Sequence, residues 1–113
     1  METKSALSAL ASLAQDSRLA IFRALVQEGP GGLPAGKISE ATGIPPSSLS
    51  FHLKELTHAD MVTSRQDGRF VIYAANFATM NELIAFLTEN CCGGKPCVPM
   101  RAPAKSAVKR RAS

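Results

Sequence analysis

All three cysteines of the chain fall within seven residues, Cys91-Cys92-Gly93-Gly94-Lys95-Pro96-Cys97. Thiols that serve as small core hydrophobes are normally scattered, whereas these sit beside glycine, lysine and proline in a segment expected to be exposed. From Cys92 to Cys97 the extended backbone spans up to roughly 17 Å. The two glycines let it fold back, so that three sulfurs converge and one chain can supply a whole site. Three soft thiolates select thiophilic ions, and no histidine is near enough in sequence to complete the closed four-ligand shell of structural zinc. As(III) or Sb(III) suits this donor set: a lone pair fills the fourth direction, and three thiolates cancel the +3 charge. Zn(II) on the same ligands would be anionic and open unless water, Glu89 or a partner-chain residue closed it.

Other thiol chemistries stay open. A vicinal pair with a resolving third thiol could oxidise reversibly, which makes redox sensing or soft divalent-metal sensing the alternative. Incidental surface cysteines would explain the residues without a function. A thiol enzyme is disfavoured, because no strand precedes the pair and no general base or anion-binding loop accompanies it.

Something must position these thiols, and the 113-residue length suits one domain with a core. The apolar share is 45% against 19% charged, that of an ordinary globular protein. No apolar run is long enough for a membrane span, and the N-terminus has no signal-peptide pattern. The expected location is cytoplasmic, with no membrane partner and with reduced thiols. The net charge of +4 is unevenly spread. Lys95, Arg101, Lys105, Lys109, Arg110 and Arg111 lie in a stretch without acids, which leaves seven basic and nine acidic groups in residues 1–90. The expected division is therefore a folded domain over 1–90, then a cysteine-containing, basic, disordered tail over 91–113. Such a tail either aids solubility or loosely attracts phosphates.

Within the folded part, Leu7, Leu10 and Leu13 with Ala11 and Ala14 predict a helix over about 4–14. Asp16 reads as the N-cap of a second helix, whose stripe is Leu19, Phe22, Leu25 and Val26 and whose stop is the run Gly29-Pro30-Gly31-Gly32. A short helix over about 35–42 ends at Gly43. Pro45-Pro46-Ser47 then opens a fourth helix that runs to about Ala59. Val62 to Ser64 and Phe70 to Ala74 predict a two-stranded ribbon turned by Asp67-Gly68. Phe77, Met80, Leu83, Ile84 and Leu87 mark a fifth helix to about Asn90, capped by Asn76 or, one turn later, by a Thr79-Glu82 capping box.

The reading is a mainly α fold with a β-hairpin wing, a winged helix-turn-helix in the order α-α-α-α-β-β-α. On the fourth helix Leu49, Leu53 and Leu56 share one face with His52 beside them, while Ser47, Ser50, Phe51, Lys54 and His58 point the other way. Hydroxyls and a lysine suit phosphates and base edges in a major groove. Arg65 and Arg69 flank the hairpin tip, within reach of the DNA backbone or minor groove, unless they are simply solvated. The candidate DNA contacts are Ser47, Ser48, Ser50, Phe51, His52, Lys54, Arg65 and Arg69; for Ser47 and Ser50 plain helix capping is the other role.

Over residues of about 5–90 the sequence resembles the ArsR/SmtB metalloregulatory repressors. The resemblance is carried by Asp16-Ser17-Arg18-Leu19, by the run from Ile44 through Pro45-Pro46-Ser47-Ser48-Leu49-Ser50-Phe51-His52-Leu53-Lys54-Glu55 to Leu56, and by Gly68-Arg69 with Tyr73. It implies a homodimer joined through the first and last helices, which binds double-stranded operator DNA and is released when a toxic metal or metalloid binds. Phe51 stands where the family usually places a polar residue. The family's Cys-x-Cys box is absent, since Pro34 and Gly36 occupy those positions, and the fifth helix lacks the histidines of its other site. The resemblance extends to arsenical sensors with cysteines at the end of the last helix, which implies Cys91, Cys92 and Cys97 as ligands of As(III) or Sb(III).

Overall fold

The computed structural model describes residues 1–94. Cys97 and the basic tail lie outside the described residues. The elements are α1 (Thr3–Leu13), α2 (Asp16–Glu28), β1 (Leu33–Pro34), α3 (Ala35–Thr42), α4 (Pro46–His58), β2 (Val62–Asp67), β3 (Phe70–Ala75) and α5 (Phe77–Leu87), then a 3-10 turn at Cys91–Gly94.

This is a winged helix-turn-helix, with one addition to the expected order. Strand β1 pairs antiparallel with β3, giving a three-stranded sheet β1-β3-β2 in which Leu33 faces Tyr73 and Pro34 faces Ile72. Two residues are too few to show an alternating pattern, so periodicity could not announce β1. It forms because Gly32, at φ +73°, brings the backbone against β3; a Cβ there would collide with the Tyr73 carbonyl oxygen. Proline is tolerated in β1 because the strand lies at the sheet edge.

Several boundaries also move. Gln15, rather than Asp16, caps α2: its side chain accepts from the Arg18 N–H at 3.0 Å. Asp16 instead lies in the first turn, where a carboxylate complements the helix dipole. Asn76 caps α5 by accepting from the Thr79 N–H, so the later capping box is not used, and the α-helix stops at Leu87 rather than Asn90. The wing strands run longer than expected, to an Asp67–Phe70 pair, so the turn residues are Gly68-Arg69, one position beyond Asp67-Gly68. Gly68 takes the left-handed φ of +63° that the turn needs.

Ile21, Phe22 and Leu25 of α2, Ile38 of α3 and Leu49, Leu53 and Leu56 of α4 form the core with Met61, Val62 and Leu83. In α1 the buried stripe is Ala6, Ala9 and Ser12. Of the leucines whose spacing marks this helix, Leu13 packs against the core, whereas Leu7 is 62% exposed and Leu10 39%. Likewise α5 buries Leu83 yet leaves Ile84 52% and Leu87 58% exposed. Small alanines let α1 approach the core closely, and each of these two helices keeps a second apolar stripe facing solvent.

Candidate nucleic-acid interface and thiol cluster

The turn between α3 and α4 is tied down by hydrogen bonds. Gly43, at φ +76°, ends α3 with its N–H on the Ser39 carbonyl at 2.8 Å. The Ser39 hydroxyl donates to the Ile44 carbonyl at 2.7 Å, and the Thr42 hydroxyl donates to the Ile38 carbonyl at 2.8 Å. Ile44 is buried, and Pro46 begins α4 with its backbone preset for a helix. The leucine face of α4 is thereby locked onto the core.

That anchoring leaves Ser47, Ser48, Ser50, Phe51 and Lys54 exposed, with Phe51 57% accessible. Positions 47, 50, 51 and 54 follow the three-and-four spacing of one helix face. Ser50 donates weakly back to the Pro46 carbonyl at 3.4 Å, which leaves its oxygen able to accept. His52 is half-buried beside the leucines; its Nδ1 is enclosed without a hydrogen-bond partner, and its ring meets Phe51 edge-on with centroids 5.6 Å apart. It sits at the margin of the exposed face rather than in its centre.

The two wing arginines are differently placed. Arg69 is an exposed turn residue. Arg65 is also exposed, but its Nη2 donates to the Gly31 carbonyl at 2.8 Å.

Past α5, the Thr88 hydroxyl closes the last helical turn on the Ile84 carbonyl at 2.8 Å. The Cys91 N–H then bonds the Thr88 carbonyl at 2.9 Å, and Cys92 adopts a left-handed φ of +57°. These bonds bring the Cys91 and Cys92 sulfurs to 3.6 Å. With metal–sulfur bonds of about 2.3 Å, two sulfurs on one ion stand roughly 3.4–3.8 Å apart for ordinary bond angles. For two reduced thiolates that separation would match the bite of a shared soft ion. Cys92 is in addition disulfide-bonded. Among the described residues no group of three or more His, Cys, Asp or Glu side chains could hold a metal, so a three-thiolate site requires Cys97.

A model of a helix-turn-helix domain matches residues 13–65. The HTH-type transcriptional regulator YgaV of Escherichia coli (strain K12) is 28% identical over 83 residues, which cover 74% of this chain and 82% of that protein. An ArsR-like transcriptional regulator from Rhodococcus sp. RHA1 superposes with TM-score 0.67 at 24% identity, covering 74% of this chain and 76% of that one. A structure described as a possible transcriptional regulator for arsenical resistance gives 0.61 at 28% identity, covering 71% and 80%. The chain carries a helix-turn-helix domain and shares the winged fold of ArsR-like transcriptional regulators.

Another fold relative is the homodimeric winged helix-turn-helix domain Mb0332 from Mycobacterium bovis, with TM-score 0.61, 22% identity, and coverage of 83% and 87%. No helix among the described residues of the regulator is long and apolar enough to cross a membrane. Residue types alone did not reveal what Arg18 does: its Nε donates to the Ser12 carbonyl at 2.7 Å, closing the C-terminal end of α1. The only available signal was its place in the Asp16-Ser17-Arg18-Leu19 motif. Gly32 was also missed as a contact residue, because a glycine after Gly-Pro-Gly reads simply as loop.

Proposed function

We propose that this chain is an ArsR/SmtB-type regulator, a homodimeric, cytoplasmic repressor that releases operator DNA when As(III) or Sb(III) binds Cys91, Cys92 and Cys97. The observation that carries the reading is the pair of vicinal sulfurs 3.6 Å apart just beyond α5. Three thiolates are the donor set that trivalent metalloids require, and the arsenical-resistance regulator among its relatives supports the same ligand class. Ligand binding needs the thiols reduced. We assign residues 1–90 to DNA binding and dimerisation and 91–113 to the metalloid site and tail.

The dimer forms through the outward apolar stripes of α1 and α5, in keeping with the homodimeric relative. It holds two recognition helices about one DNA turn, roughly 34 Å, apart. Ser47, Ser48, Ser50 and Lys54 meet phosphates and base edges, with His52 at the margin of α4 and with Arg69 at the tip of the wing. Drawing Cys97 onto Cys91 and Cys92 caps or distorts the end of α5 and repacks the dimer edge. The two α4 helices then no longer match successive grooves.

Thiol counting tests the site. The reduced full chain should show three reactive thiols, all protected by one equivalent of As(III) per chain. Protection of fewer than three at saturation would rule out the three-thiolate site.

Phe51 gives a second expected result. An apolar ring on the groove side meets a thymine methyl. Phe51→Ala should weaken binding severalfold on the natural operator and have little effect once uracil replaces the contacted thymine; equal losses on both would exclude the contact.

A competing reading rests on the disulfide at Cys92. Two thiols could pass two electrons and two protons to peroxide, forming a disulfide and two waters, with the same movement at the end of α5. Operator release by peroxide but not by As(III) would favour it.

A further inference from the structure

Arg65 was expected to touch DNA, yet its guanidinium already has a partner on the far side of the wing sheet. Across the sheet Arg65 of β2 faces Ile72 of β3, and Ile72 faces Pro34 of β1. From that row the side chain reaches past β3 to the linker between α2 and α3, where Nη2 donates to the Gly31 carbonyl at 2.8 Å. The next residue, Gly32, is the point of closest approach between linker and wing: a Cβ there would collide with the Tyr73 carbonyl and stand 2.9 Å from Ile72 Cγ2. Its own N–H bonds the Gly29 carbonyl at 3.2 Å. Linker and wing are joined at two adjacent residues, one by a guanidinium hook and one by backbone contact.

We infer that Arg65 is a positioning residue: by clamping β2 to Gly31 it fixes the angle of the wing relative to α4 and so places Arg69 on its phosphate. The inference rests on the reading that α4 and the wing dock on DNA. Arg69 lies in the exposed turn, whereas Arg65 holds the base from which that turn projects. A two-stranded ribbon alone is marginally stable and free to swing; β1 and the Arg65 hook restrain it from the linker side. Arg65 then supplies no phosphate contact of its own.

A salt-dependence cycle distinguishes the two roles. Each phosphate contact adds about 0.9 to the slope of log K against log salt. Lys54→Ala and Arg69→Ala, measured with the full-length protein on a selected operator duplex, should each lower the slope by about that amount. Arg65→Ala should lower it by the same single contact, because Arg69 is misplaced, and Arg65→Ala with Arg69→Ala should lower it no further. A direct phosphate contact from Arg65 would instead give a double mutant lower by about 1.8, which overturns the inference. So would an Arg65→Ala protein with unchanged slope. Gly32→Ala provides a charge-neutral check: in protein that retains its helical circular dichroism, the slope should again fall by one contact with both arginines present. An unchanged slope in that protein would contradict the clamp. If Lys54→Ala and Arg69→Ala both leave the slope unchanged, the DNA-docking reading beneath the inference fails instead.

Discussion

Serine at Cys91, Cys92 and Cys97 together should abolish As(III)-driven operator release while leaving operator affinity within about twofold of wild type. A hydroxyl keeps the size of the thiol but loses the soft, anionic sulfur that a trivalent metalloid needs. Cys91 and Cys92 lie beyond the helix-turn-helix and wing, past the end of α5, so the DNA-binding face is untouched. The expected effect is large because a switch from 1:99 to 99:1 requires about 5.5 kcal/mol of differential binding, all of which comes from the metalloid–sulfur bonds. Single substitutions should give graded losses. Cys97→Ser keeps the vicinal pair at 3.6 Å, so a monosubstituted arsenical, with two exchangeable positions, should still bind while inorganic As(III) binds weakly. Cys91→Ser or Cys92→Ser leaves two thiols joined by a loop, and closing that loop falls on fewer bonds. Operator release measured against ligand concentration for these four proteins checks the series; As(III) release of the triple mutant would place the site elsewhere.

A glutamate at Ile84 should convert the dimer to a monomer and weaken operator binding by about a hundredfold or more. Ile84 is 52% exposed and Leu87 58% on α5, with Leu7 62% exposed on α1. Covering a half-exposed leucine or isoleucine contributes about 1 kcal/mol, and a two-fold interface counts every such residue twice. A carboxylate in that contact both removes the gain and adds a desolvation cost, again twice. A monomer then reads one half-site, without the second recognition helix one DNA turn away. Sedimentation velocity reports the assembly and operator titration the affinity. A dimer persisting in Ile84→Glu at micromolar concentration would remove the α5 stripe from the interface.

Much of this architecture was legible because Gly29 to Gly32, Gly43 and Pro45-Pro46 punctuate the chain at the ends of its helices. The leucine spacing of α4 correctly identified its buried face, since Leu49, Leu53 and Leu56 are all in the core. In α1 the same spacing marks the helix but not its buried face. Its leucines and its alanines both recur at helical spacing, and periodicity reports an apolar stripe without saying whether it faces the chain's own core. Ala6 and Ala9 won the interior because close helix approach favours small side chains, leaving Leu7 and Leu10 outside. The pairing of β1 was hidden for a different reason. It depends on Gly32 meeting the Tyr73 carbonyl, a contact between residues 41 positions apart that no local pattern encodes. For the same reason Arg65 looked like a free wing cation until its bond to Gly31 was seen. The clustering of the three cysteines was readable from the sequence, whereas the 3.6 Å approach of Cys91 and Cys92 depends on the turn after α5.

The most direct measurement is titration of the reduced protein on a labelled operator, selected from a random-sequence pool, with As(III), Sb(III), Cd(II) and Zn(II) separately. Release by As(III) or Sb(III) near one equivalent per chain, with Zn(II) ineffective at the same concentration, is the predicted result. Retention of the operator at saturating As(III) and Sb(III), or release by Zn(II) alone, would contradict it.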